Sequence, residues 1–123
     1  MKRDLDLVRE ILLKIEDFEP TGISKVQLVT PDDFSGTPAQ NLYHVDMLLQ
    51  AGYLEETGRR TLQAEIAIRG LTMSGHDLLN AIREKSVWEK TKTRLGDAGG
   101  WTLDLVLAVA KQELKRRLFG DIS

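Results

Sequence analysis

A chain of 123 residues, 41% hydrophobic and 29% charged, has room for one compact domain with a real core and is too short for two comfortable ones. Its net charge of −2 gives no global pull toward a polyanion, and the absence of cysteine excludes disulfides, thiolate metal sites and a cysteine nucleophile. Acids in Met1-Lys2-Arg3-Asp4-Leu5-Asp6 stand where a secretory signal needs an apolar run, and no stretch approaches the roughly 20 apolar residues that span a bilayer, so a cytoplasmic chain without membrane contact is expected.

Residues 4–17 read as a first helix. Leu5, Val8, Leu12 and Ile15, widened by Ile11 and Phe18, share a face opposite Asp6, Arg9, Glu16 and Asp17, and Glu10 with Lys14 forms a favourable i,i+4 pair. Pro20 and Gly22 end it. The β-branched run from Ile23 to Thr30 predicts a short strand over 26–29, and Pro31-Asp32-Asp33-Phe34-Ser35-Gly36 is turn chemistry. Thr37-Pro38-Ala39-Gln40 then supplies an N-cap, a proline at the first helical position and the closing Gln of a capping box, which predicts a helix over 38–51 with Leu42, Val45 and Leu49 inward. Gly52 stops it. A hairpin is expected from strands at 53–57 and 61–69, turning at Thr57-Gly58-Arg59-Arg60. Leu62, Ala64, Ile66 and Ile68 then face a core, and Gln63, Glu65 and Arg69 face solvent.

Ser74 and Asp77 have capping-box spacing and predict a helix over 74–85, striped by Leu78 and Ile82. Trp88, Thr91 and Leu95 lie on a rotated face, so a break is expected near Lys85 and Ser86. Gly96-Asp97-Ala98-Gly99-Gly100 is a loop, and residues 102–119 form the last helix. Its stripe is Leu103, Val106, Leu107, Ala110, Leu114 and Leu118, while Leu105 and Val109 are apolar on another side. A homodimer through 102–119 is therefore expected, with Leu105 and Val109 in its interface.

Four blocks, residues 1–16 (MKRDLDLVREILLKIE), 43–56 (YHVDMLLQAGYLEE), 71–84 (LTMSGHDLLNAIRE) and 87–92 (VWEKTK), together resemble an uncharacterised domain-of-unknown-function family of small bacterial and prophage proteins. The resemblance covers nearly the whole chain and implies a winged-helix-like fold, with no established activity to carry over. The Leu-Thr-x-x-Gly-His block is also similar to the wing-to-helix junction of several winged-helix transcription regulators. The chain departs from them at 23–36, which look extended or turn-like where a helix-turn-helix needs its first helix. The expected class is thus α+β: a winged-helix-like core (a winged helix-turn-helix variant) over 1–73, with C-terminal helices over 74–123 packed on it as one compact domain.

Two functions fit this architecture. In the first, the chain is a small DNA-associated regulator. Gln40, Asn41 and His44 on the helix at 38–51 then offer hydrogen bonds to base edges, and Arg59 with Arg60 at the wing tip contact phosphate or enter a minor groove. Duplex binding should be weak, because no Lys or Arg stands between Lys25 and Arg59, and residues 1–82 carry 8 Lys and Arg against 13 Asp and Glu. Residues 83–123 carry 9 against 6, including Lys115-Arg116-Arg117, whose cations also complement the helix dipole. In the second, the winged-helix frame is a protein-interaction module without DNA binding, since Tyr43 and Met47 suit a protein partner better than solvent. Neither His44 nor His76 has a partner at metal spacing, and no nucleophile elbow, phosphate loop or carboxylate pair occurs, so no catalytic residue, metal or cofactor is expected.

Overall fold

A computed structural model describes residues 3–18, 26–60, 65–97 and 100–120, side chains at 58–60 and 97 excepted. The architecture is mixed α+β. In chain order it runs α1 (Leu5–Glu16), β1 (Gln27–Val29), α2 (Pro38–Gln50), β2 (Leu54–Arg60), β3 (Ile66–Leu71), α3 (Met73–Ile82), α4 (Lys85–Asp97) and α5 (Leu103–Phe119). Two compact units divide at His76 and Asp77, three residues beyond the boundary drawn from the sequence. Among the described residues no helix is long and apolar enough to cross a membrane.

In the first unit, Asp4 caps α1 by accepting from the amides of Asp6 and Leu7. The helix buries Leu7, Val8, Ile11, Leu12 and Ile15; Leu5, expected inward, is only half-buried, and Leu7 takes its place. The three strands form an antiparallel sheet in the order β1-β3-β2. Gln27, Leu28 and Val29 stand opposite Ile68, Ala67 and Ile66, so the strand between α1 and α2 pairs with the return strand of the hairpin. Helices α1 and α2 pack together, α1 against β3 and α2 against β2, around a core that holds Ile11, Leu12, Val45, Leu48, Ile66 and Ile68.

The hairpin differs from its expected outline. Residues 57–60, read as its turn, continue β2, and Arg60 stands opposite Ile66. The register slips between Glu55 and Glu56, where the extra residue lies on β3, and again between Glu56 and Arg60, where β2 bulges to take up extra residues. Gly58 signalled a turn, but a glycine inside a strand also marks a bulge. Ile66 and Ile68 are buried as alternation requires, and Arg69 is exposed. Ala67 is buried as well, on the middle strand of three, where flanking strands shield a small side chain. Leu62, Gln63 and Ala64 lie outside the described residues, as do Pro20 and Gly22.

The turn between β1 and α2 is fastened to α1 by Glu10. Its carboxylate accepts from both the amide and the hydroxyl of Ser35, and Lys14 lies 3.5 Å from it while donating to the Asp33 carbonyl at 3.0 Å. Burial pushes the Glu10 pKa up, but the Ser35 hydrogen bonds and Lys14 outweigh it and hold the carboxyl below the usual 4.5. A depressed folded value means stability that is present above the unfolded pKa and lost as pH falls through the folded one. Glu10→Gln is therefore expected to lower stability by about 1 kcal/mol at neutral pH, the difference fading as pH falls below the ordinary carboxylate range. Urea unfolding of both proteins at neutral and acid pH measures it. A gap that persists in acid would assign the loss to packing instead of charge.

In the second unit, α4 buries Val87, Trp88, Thr91 and Leu95, and it packs on α5 through the latter's Leu103, Val106 and Ala110. The rotated face formed by Trp88, Thr91 and Leu95 is as expected. The break falls at Arg83–Glu84, just before the expected Lys85–Ser86. At the start of α3 the cap is Thr72 and not Ser74: its hydroxyl accepts from the Gly75 amide at 3.0 Å. On α5, Leu107 and Leu114 are half-buried and Leu118 is exposed, so the stripe read along the helix is covered mainly at its beginning.

Candidate nucleic-acid interface

The five residues singled out from the sequence do not form one surface. Asn41 and His44 are 1% and 0% exposed, although the sequence offers both as hydrogen-bonding contacts to base edges. Asn41 is the hub of the turn before its own helix. The two N–H groups of its amide are shared among the carbonyls of Pro31, Phe34 and Gly36 at 2.7, 3.0 and 3.0 Å, and its oxygen accepts from the Gly36 amide at 3.1 Å. His44 ties α2 to the start of α1. Its Nε2 accepts from the Asp4 amide at 2.7 Å, which leaves Nδ1 to donate to the Gln40 carbonyl at 2.7 Å. With every ring nitrogen and amide atom engaged internally, neither side chain is available to a base edge. The buried face of α2 is therefore Asn41, His44, Val45 and Leu48, rotated from the expected Leu42, Val45 and Leu49; Leu42 and Leu49 are half-buried.

Gln40 stays at the surface, but its side-chain oxygen accepts from the Thr37 amide at 2.9 Å and closes the capping box. Arg59 and Arg60 belong to β2 instead of a turn tip. The partly exposed positions of α2 include Tyr43, Asp46 and Met47 and no cation.

The second unit gathers what the first lacks. Along the seam of α4 and α5 runs a cleft of about 630 Å³ whose charged lining is Glu89, Lys90, Arg94, Glu113, Arg116 and Arg117. Glu113 is 4% exposed, and one of its oxygens receives Nη1 of Arg94 at 3.0 Å and Nη1 of Arg116 at 3.3 Å. Arg94 also donates to Gln112 at 3.1 Å. At the cleft's end Arg117 pairs with Glu84. Glu84 also accepts from the Ser86 hydroxyl; that bond, opposed by slight desolvation and aided by Arg117, keeps its pKa below 4.5. Glu89 is matched by Lys92 at 3.3 Å, and Lys90 makes no salt bridge among the described residues. Counting Glu84 and Lys92 with the lining, the cations outnumber the acids. Of these residues the sequence singled out only Arg116 and Arg117; Lys90 and Arg94, one turn apart on α4, carried the signal that would have completed the set.

Comparison with known proteins places the chain. Residues 2–101 match the family model described as "Hypothetical protein (DUF2513)". The chain belongs to the DUF2513 family. It is also similar to an "Uncharacterized protein" of Haemophilus influenzae, 37% identical over 114 residues that cover 91% of each chain. No solved structure matches the chain. The DUF2513 match contains Lys90 and Arg94 and ends before α5, so Glu113, Arg116 and Arg117 lie beyond it.

Proposed function

We propose that this DUF2513 protein is a small DNA-associated regulator of bacterial or prophage origin, built on a winged-helix-like frame. The supporting observation is the sheet order β1-β3-β2, in which a strand between the first two helices joins the return strand of the following hairpin. That arrangement presents a helix and a two-stranded ribbon from the same small core. The frame lacks an intact helix-turn-helix, because strand β1 and a turn stand where the helix before α2 would be. With Asn41 and His44 buried, sequence reading by α2 has little to work with. Duplex binding is then mainly electrostatic, through Arg59, Arg60 and the cations that line the α4–α5 cleft, and it should be weak and salt-sensitive. The expected result is retention of the full chain on heparin at low salt, released steeply as salt rises. Flow-through at low salt would overturn the proposal.

The second reading, a protein-interaction module without DNA binding, draws on the cation-free surface of α2, where Tyr43 and Met47 remain partly exposed. A homodimer through α5 belongs to either reading. Leu105, Leu118 and Phe119 are 40%, 65% and 69% exposed on that helix, and Val109 is half-buried beside them.

A further inference from the structure

We propose that the cleft between α4 and α5 is a groove for a phosphodiester backbone, gripped by Lys90, Arg94, Arg116 and Arg117. The inference rests on the nucleic-acid reading above and assigns the contact to the second unit instead of the winged frame. Glu113 is central to it. A buried carboxylate left alone would be costly, and here two guanidinium groups share one of its oxygens. That fixes where Arg94 and Arg116 point without spending them: each guanidinium has five N–H donors, and Nη1 alone meets the carboxylate. Their side chains are 41% and 56% exposed, so the remaining donors can reach an oxyanion at the opening. Lys90 and Arg94 are i,i+4 neighbours on α4, roughly 5–6 Å apart at Cβ, and form one wall. Arg116 and Arg117 form the other.

The lining also selects the class of ligand. Its one large aliphatic residue, Val87, is 1% exposed, so no apolar pocket waits for an anchoring side chain of a peptide. Attraction must come from charge, and a row of phosphates supplies evenly spaced charge without needing anchors. Binding of this kind positions a duplex and carries no sequence preference.

The test is fluorescence anisotropy of a labelled duplex with the full chain across a salt series. Lys90→Gln with Arg117→Gln removes two cleft cations and leaves the Arg94–Glu113–Arg116 cluster intact, so the fold should hold; a circular dichroism melt checks this. The expected result is a slope of log K against log salt shallower by about 1.8. Lys111→Gln with Lys115→Gln removes the same charge from α5 at positions roughly 160° round the helix from Glu113, and it should leave the slope nearly unchanged. A wild type that does not bind duplex at low salt, or binds only a poly-glutamate peptide, overturns this inference and the regulator reading together. A wild type that binds, with a slope insensitive to the cleft pair and reduced by Arg59→Ala with Arg60→Ala, overturns the cleft alone. Equal loss from the cleft pair and the Lys111/Lys115 pair also overturns it, since the effect would then be net charge.

Discussion

Asn41→Asp is expected to lower the stability of the first unit by about 3 to 5 kcal/mol, enough to consume much of what a domain of this size has. The two side chains have nearly the same shape, so packing is not the cause. Asn41 shares its two N–H groups among three carbonyls, those of Pro31, Phe34 and Gly36, from a site that is 1% exposed. An ionised aspartate has no donor. It would set a buried charge against three acceptor oxygens, keeping only the bond from the Gly36 amide. Asn41→Ala should cost less than the aspartate, because it leaves the carbonyls unsatisfied without adding a charge. Urea unfolding followed by circular dichroism ranks the three proteins. An aspartate variant within about 1 kcal/mol of wild type would show that water or a rearranged turn satisfies those carbonyls instead.

The role of Asn41 also explains where the sequence misled. Helix α2 could be placed from its capping box and proline, because Thr37, Pro38 and Gln40 act locally and their geometry does not depend on the rest of the fold. Which way the helix faces is a tertiary property. A polar side chain is ordinarily assigned to solvent, and Asn41 and His44 are buried because the backbone of the preceding turn needs the first as a partner and the start of α1 needs the second. The Asp4 amide lies 40 positions from His44, so no local window reports that need. Rotating the helix to bury these two moved Leu42 and Leu49 toward the surface and removed the two best base-reading candidates.

The hairpin misread has a different origin. Thr57-Gly58-Arg59-Arg60 has turn composition, but the strand bulges instead, and only pairing with β3 settles which outcome wins. The cleft of the second unit was half legible. Arg116 and Arg117 stood out as a run, whereas Lys90 and Arg94 are scattered among ordinary helix-surface residues. Glu113, a lone acid in that basic segment, showed its purpose only once two arginines from different helices were seen to meet on it.

Gly75→Ala is the last expected result, and its sign runs against helix propensity. Gly75 lies in the first turn of α3, where exchanging glycine for alanine ordinarily stabilises by about 1 kcal/mol. Here a Cβ would sit 2.1 Å from the Tyr53 carbonyl oxygen and 3.1 Å from its carbonyl carbon, with the Leu71 Cβ at 3.2 Å. The first two are backbone atoms of the segment entering β2, and they cannot step aside as a flexible side chain would. That segment is also pinned, since the Tyr53 carbonyl accepts from the Thr72 amide at 3.2 Å and the Gly52 carbonyl from the Thr72 hydroxyl at 2.6 Å. Moving it away would break the hydrogen bonds that join the base of the hairpin to the start of α3. A loss of about 3 kcal/mol or more is therefore expected. Gly96 provides the internal control: it lies in α4 with nothing within 4 Å of where a Cβ would be, so Gly96→Ala should be neutral or mildly stabilising. The thermal melt of Gly75→Ala should fall while that of Gly96→Ala holds or rises. If both rise, the close approach of strand and helix at Tyr53 is not present in solution, and the Leu-Thr-x-x-Gly-His block needs another explanation than the packing that excludes a side chain at its glycine.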